Sequence, residues 1–371
     1  MRRSRMAVSF LLRRVMAALP FATLPFAVLP SAAWAEAPSS APPAFAPPAF
    51  EVPVRCRIGA DCFVQNYVDA DPGPGARDFA CGRLTYDGHK GTDFRVPDLG
   101  AMRRGVTVVA AAPGMVVRVR DGMEDVSIRQ GGKPSPDREA GNAVVVDHGG
   151  GWETQYSHLR RDSLAVKPGD RVAAGTPLGR IGLSGNTEFP HVDFTLRHDG
   201  RVVDPFVGEA APAACGTPEA GAGPNGGEAG LWSPQARKTL AYRPSGLLGA
   251  GFASEPPKAE TARDGGYGGY GAARLPADSP VLGVWAEFFG GREGDRMSLR
   301  VTGPDGSRLQ ESSGVVPRPL AVLFVAATVP KPAGSPPAGP WPTGLYRVTV
   351  TLSHGQEVVV REERSVELRG R

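Results

Sequence analysis

A chain of 371 residues is too long for one ordinary domain, and its 41% apolar content is ample for a core in each of two. Its 49 glycines and 37 prolines make up more than a fifth of the chain, favouring turns, short strands and linkers over long helices. With 42 basic against 38 acidic residues and no basic stripe interleaved with aromatics, a nucleic-acid partner is not expected; the net charge of +4 suits a polyanionic wall or membrane surface.

Residues 1–35 have the layout of a secretion signal. Arg2, Arg3, Arg5, Arg13 and Arg14 give a basic start, Val15 to Leu29 an apolar run, and Ala33-Trp34-Ala35 a small-x-small cleavage site. Pro20, Pro25 and Pro30 interrupt the run and argue against a permanent membrane helix, so no transmembrane segment is expected after cleavage. The expected location is the periplasm or the cell-wall side of the envelope. Residues 36–50, rich in alanine and proline without periodicity, read as a tether.

Export gives the four cysteines a meaning, because an even number in an oxidising compartment usually pairs. Cys56 and Cys62 can close a small loop, leaving Cys81 and Cys215 to tie the start of a first domain, 51–215, to its end. Three pairings are open. No CxxC spacing favours a thiolate zinc site instead.

Within 51–215 short apolar runs alternate with turn signals: Val106–Ala111, Gly114–Val119, Ala143–Asp147, Trp152–Tyr156, Val166–Val172 and Pro177–Gly182 all read as strands. No segment has a helical period, so an antiparallel sheet folded on itself is expected. The stretch from Asp121 to Ala140, with Pro134 and Pro136, reads as a surface loop of the kind that walls a groove.

Three pieces of this domain carry chemistry: Gly88-His89-Lys90-Gly91-Thr92-Asp93-Phe94, Tyr156-Ser157-His158-Leu159 and Pro190-His191-Val192-Asp193-Phe194. His89 and Asp93 are an even number of residues apart, as are His191 and Asp193, so in extended chain each pair faces one side of a sheet. Two such pairs facing one groove can hold a zinc ion. His148, His198 and His354 sit in turn or surface contexts, and Asn142 follows a glycine as a turn former.

The order Gly-His89-x-Gly-x-Asp93, Gly141-Asn142-x-Val-x-Val-Asp-His148-Gly, Tyr156-Ser-His158-Leu, Lys-Pro-Gly-Asp170-x-Val-x-x-Gly175, Gly-x-Ser-Gly185 and Pro-His191-x-x-Phe resembles the lysostaphin-type zinc metallopeptidases of bacterial cell walls. The resemblance covers roughly residues 77–207. It implies a compact antiparallel β-fold that hydrolyses peptide bonds in peptidoglycan cross-links, acting on the peptide stems. Some relatives have lost the metal and activate cell-wall amidases, so a regulator that partners an amidase or divisome protein is the alternative. Carried over by position, the resemblance implies Zn2+ held by His89, Asp93 and Asp193, with His158 and His191 flanking the water and the scissile carbonyl. The family's His-x-His is His191-Val192-Asp193 here, so the third ligand the resemblance implies is a carboxylate, the other arrangement being His191 as ligand with Asp193 orienting it. Zinc accepts either donor, but two carboxylates cancel the charge of the ion, and weaker activation of its water is expected.

Residues 216–274 read as linker and extended segment, with a glycine-tyrosine loop at 264–271. From 275 to 371 the rhythm changes to alternating or apolar strands, Val281–Phe289, Met297–Val301, Leu320–Val325, Leu345–Val350 and Glu357–Val360, at spacings that suggest an immunoglobulin-like β-sandwich. The expected chain is all-β throughout.

Overall fold

Period-two alternation in the first half of the chain builds a sheet with one apolar and one polar face. The computed structural model describes residues 46–209, 215, 230–268, 271–332 and 339–370. The expected signal segment 1–35, residues 36–45 of the tether and 216–229 of the linker lie outside the described residues. Strands β1 (Phe63–Asn66), β2 (Thr92–Arg95), β3 (Thr107–Val109), β4 (Gly114–Arg120), β5 (Asn142–Gly149), β6 (Trp152–Leu159), β7 (Arg171–Val172), β8 (Pro177–Arg180), β9 (His191–His198) and β10 (Arg201–Val203) make the first domain. Seven of them lie in the order β1-β2-β9-β6-β5-β4-β7, with β10 added to β9, while β3 pairs with β8. Every pair is antiparallel, as expected from sequence.

The apolar face of this sheet is closed by Phe94, Val144, Val146, Tyr156, Val192 and Phe194, all fully buried. Each such side chain contributes about 1.5–3 kcal/mol on burial. The same strands send their polar residues to the other face, where they can form a site without opening the core. Two short helices, α1 (Leu99–Arg104) and α2 (Ile128–Gly131), interrupt the loops. Asp98 caps α1 by accepting from the Ala101 amide at 2.7 Å.

Of the three possible cysteine pairings the structure contains Cys56–Cys62 and Cys81–Cys215. The second spans 134 residues, and in the chain-entropy account a loop of that length restrains the unfolded chain by about 5 kcal/mol. Beside it, Phe79 stacks on Phe206 at 4.5 Å and Tyr67 packs edge-on against both.

The segment 216–274, read from sequence as linker and extended chain, supplies α3 (Pro234–Thr239), β11 (Gly246–Ala253) and α4 (Ala259–Arg263) within its described part. The glycine-rich β11 is a strand because it runs beside β13 (Leu282–Gly291), where small residues fit between packed layers. A short β12 (Arg274–Pro276), then β14 (Arg296–Thr302), β15 (Arg308–Val315), β16 (Leu320–Val329), β17 (Gly344–His354) and β18 (Glu357–Arg369) complete a two-sheet sandwich. Its sheets are β11-β13-β16 and β12-β18-β17-β14-β15, and between them lie Phe288, Leu299, Tyr346 and Val350. β15 escapes a pattern reading because Arg-Leu-Gln-Glu-Ser-Ser-Gly-Val is an exposed edge with few apolar residues.

Phe45–Arg371 is one compact unit, and the sandwich meets the first domain through particular contacts. Phe289 at the end of β13 packs on Phe63 of β1 at 5.7 Å, and Arg103 of α1 donates to the Asp264 carbonyl. Buried Glu287 of β13 pairs with Arg263 at 2.7 Å.

One buried carboxyl makes stability depend on pH. Asp204 accepts from the Phe206 amide at 2.9 Å through Oδ1, its Oδ2 has no partner among the described residues, and burial pushes its carboxyl up to about 7. The folded carboxyl therefore holds its proton where the unfolded one, near 3.9, has lost it. Its contribution is fully present below pH 4 and is lost as pH rises through 7, a change on the order of 4 kcal/mol. Asp204→Asn should match the wild type in thermal midpoint at pH 4 and exceed it by several degrees at pH 8. Parallel midpoints across that range would refute the assignment.

Candidate metal centre

The site begins with a strand pairing that no local pattern specifies. β2 and β9 are neighbours, and their register sets Asp93 opposite Asp193 and Arg95 opposite His191. Because side chains alternate, Phe94, Val192 and Phe194 enter the core while Asp93, His191, Asp193 and Thr195 share the other face. On the far side of β9, Ser157 of β6 lies opposite Asp193. His89 arrives from the turn before β2, anchored by its amide to the Tyr86 carbonyl at 3.0 Å and by its own carbonyl to the Asp69 amide at 2.9 Å.

Three imidazoles are oriented by the same device, a backbone carbonyl on Nδ1. His89 donates to Tyr67 O at 2.7 Å, His158 to Ser184 O at 2.7 Å and His191 to Phe189 O at 2.9 Å. A carbonyl only accepts, so each ring carries its proton on Nδ1 and turns Nε2 away from that anchor. Nε2 of His89 lies 3.2 Å from Asp93 Oδ1, and Nε2 of His191 lies 3.4 Å from the same oxygen. The rings of His158 and His191 are 4.7 Å apart.

His158 reaches the site through an unusual backbone. Its φ is +61°, in the left-handed region that a non-glycine residue adopts at a cost of order 1 kcal/mol or more. A register shift between Asn142 and Val144 opposite this point marks a bulge, which turns the side chain at the end of β6. A regular strand would have sent residue 158 to the face of Tyr156, into the core.

The electrostatics follow from burial and from the two carboxylates. Burial disfavours the imidazolium of His89, but the Asp93 charge and hydrogen bond outweigh it and raise the group to about 9. His191 is raised in the same way, against its burial, by Asp93. Burial, with the charge of His191, lowers His158 to about 3, so it stays neutral. Burial opposes the ionised form of Asp93, yet His191 and His89 hold it well below the usual carboxylate range, whereas burial and the nearby Asp93 charge raise Asp193.

His89, Asp93 and Asp193 each offer a ligand atom within 4.8 Å of one another. Among the described residues no lysine or arginine ion-pairs with either carboxylate; their further partners are neutral, the Asn66 amide at 2.8 Å on Asp93 and the Thr195 hydroxyl at 3.1 Å on Asp193. A buried acid and a half-buried one beside it, served by neutral donors and an imidazole, fit a divalent cation. The cluster opens on a groove of about 1520 Å³. Ser127, Ile128 and Arg129 from the Asp121–Ala140 loop form one part of its lining, and Glu293, Leu320 and Val322 of the sandwich another.

The other histidines have different partners. His148 bridges Pro113 O and Thr154 Oγ1, both within 2.8 Å; His198 stacks on Trp152 and pairs with Glu209; His354 bonds Asp295 at 2.7 Å. Asn142 is a fully buried bracket, accepting from the Met123 amide and donating to Met123 O and Leu159 O, which ties the groove loop to the sheet. Sequence reasoning missed Asn66 and Thr195. Thr195 was findable, two residues beyond Asp193 on the same strand face; Asn66 had no local signal.

Gly91 is where the site tolerates least. A Cβ there would lie 1.7 Å from Asp193 Oδ1 and 3.1 Å from Phe194 O. Since a carboxylate at the end of a side chain moves more easily than backbone, Gly91→Ala should swing Asp193 out of the cluster. The expected result is zinc affinity about 10–100-fold weaker by competition titration, comparable to losing a supporting partner. Affinity equal to wild type would mean that Asp193 takes no part.

Residues 87–205 match the model of Peptidase family M23. The peptidoglycan DD-endopeptidase ShyA of Vibrio cholerae is 35% identical over 119 residues, 31% of this chain and 22% of that protein. The DD-carboxypeptidase/endopeptidase Mpg of Neisseria meningitidis is 32% identical over 131 residues, 35% and 24% of the two chains. The murein hydrolase activator EnvC of Escherichia coli is 34% identical over 94 residues, 25% and 22%. The chain thus spans less than a quarter of the length of these relatives. The resemblance carried by the ordered motifs is borne out over this segment.

Proposed function

From a chain whose residues 87–205 match peptidase family M23, we propose an exported, zinc-dependent endopeptidase that hydrolyses peptide bonds in peptidoglycan cross-links. The observation that carries this reading is the convergence of His89, Asp93 and Asp193 from two non-adjacent segments, beside two further imidazoles in one groove. Two disulfides and the signal-like residues 1–35 support export, and no helix among the described residues is long and apolar enough to cross a membrane.

His89, Asp93 and Asp193 would hold the ion, which when bound supplies Lewis acidity toward water and a carbonyl oxygen. The chain's own residues do the rest. His158, neutral and protonated on Nδ1, offers the Nε2 lone pair to the attacking water. His191, held through Nδ1 by Phe189 O with Nε2 turned to the cluster, is placed, when protonated on Nε2, to stabilise the developing oxyanion and give that proton to the leaving amine. The groove orients the peptide stem. The second domain we read as an immunoglobulin-like module that supplies part of the groove wall.

One observation favours a second reading. Asp193 stands where the family pattern has an imidazole, and a murein hydrolase activator is among the relatives, so a wall regulator acting on an amidase is the competitor. Metal analysis and a digest of purified peptidoglycan separate the two. The enzyme reading expects one zinc per chain, conversion of cross-linked to uncross-linked fragments, and an Asp193→Ala variant slower by on the order of a hundredfold. Protein that takes up no zinc and leaves cross-links intact would establish the regulator; Asp193→Ala cutting at the wild-type rate would remove that residue from the site.

A further inference from the structure

The bulge in β1 has no explanation in the fold of that strand alone. Phe63 pairs with Arg95 and Val64 with Phe94, but the partner of Asp93 is Asn66, so the register slips by one residue at Gln65. Two side chains then serve the stretch of β2 where an unbroken ladder would supply one. Gln65 accepts from the buried Arg95 guanidinium, which also donates to the Val96 and Pro97 carbonyls and so stays clear of the carboxylates. Asn66 is set against Asp93, its Nδ2 donating to Oδ2 at 2.8 Å.

We propose that Asn66 is a positioning residue for the metal centre, delivered by the bulge so that its amide occupies one oxygen of Asp93 and leaves Oδ1 facing His89. Thr195 plays the matching part on Asp193, donating to Oδ1 at 3.1 Å and leaving Oδ2. Both donors are neutral. A lysine or arginine in either place would orient the carboxylate equally well but would repel the cation, whereas an amide and a hydroxyl leave its full charge available. Asn66 lies outside residues 87–205, so this part of the site is supplied by chain beyond the segment that matches the family. The inference rests on the zinc reading above and extends it to residues that never touch the ion.

Asn66→Leu keeps the size of the side chain and removes the donor. In the full chain, zinc affinity measured by competition with a chromophoric chelator should fall about 10–100-fold, and the visible absorption of the Co2+-substituted protein should change. The thermal midpoint of the chelator-treated variant should stay near wild type, because a purely structural role would lower that midpoint and leave affinity alone. If Asn66→Leu does not fold, Thr195→Val tests the same geometry from β9, with the same expected loss. Wild type that binds zinc with variants within twofold of it overturns this inference and leaves the metal centre standing. Wild type that binds none overturns both.

Discussion

Asp93→Asn should abolish zinc uptake and, with it, the proposed peptidoglycan cleavage. Asp93 is the hub of the cluster, because one oxygen faces Nε2 of both His89 and His191 and the other is held by Asn66. Asparagine keeps the shape, loses the charge, and leaves half-buried Asp193 as the sole carboxylate to attract an ion. Lewis-acid stabilisation worth several kcal/mol is forfeited, about a thousandfold in rate at roughly 1.4 kcal/mol per decade. The fold should survive, since the substitution also removes the repulsion between facing Asp93 and Asp193. The measurement is thermal unfolding with and without zinc: wild type should gain a midpoint shift that grows with zinc concentration, and the variant none. A variant that keeps the zinc-dependent shift, or cleaves within tenfold of wild type, would refute the ligand role.

His158→Asn should give the opposite signature, a full complement of zinc and a kcat lower by about 10²–10⁴, the range removed with a general base. Asparagine is the informative replacement because residue 158 sits at φ +61°, where asparagine is at ease and alanine is not. Backbone strain and lost chemistry are thereby separated. His158 lies outside the ligand cluster and its ring is fixed by Ser184 O, so neither metal content nor KM should move much. Zinc analysis on the same sample used for the digest decides the matter: loss of metal together with rate would make His158 a ligand, and an unchanged rate would make it structural.

The strands of both domains were legible where apolar residues alternate, as in Trp152–Leu159 and Gly344–His354, because burial of one face imposes a period of two. Gly246–Ala253 and Arg308–Val315 were not. The first is too rich in glycine to carry a pattern and is ordered by β13 beside it; the second is an edge whose side chains face solvent. His89, Asp93, His158, His191 and Asp193 were readable as candidates from their residue types and motif order, while the even spacing described His191 with Asp193 on β9 but not His89, which precedes β2 in a turn. The turning of His158 out of the core was not, because it depends on a bulge against Asn142.

By itself the sequence determined which side chains can do metal chemistry and that His191 and Asp193 share a strand face, since both follow from residue type and from alternation over a few residues; His89 lies in the turn before β2, where alternation does not apply. Only the tertiary structure decided that Asp93 meets Asp193 about a hundred residues away, that Gly91 leaves room for that carboxylate, and that Asn66 reaches across a slipped register to hold its partner. The physical reason is that pairing partner and register are set by the packing of the whole sheet, where a shift of one residue exchanges core for groove.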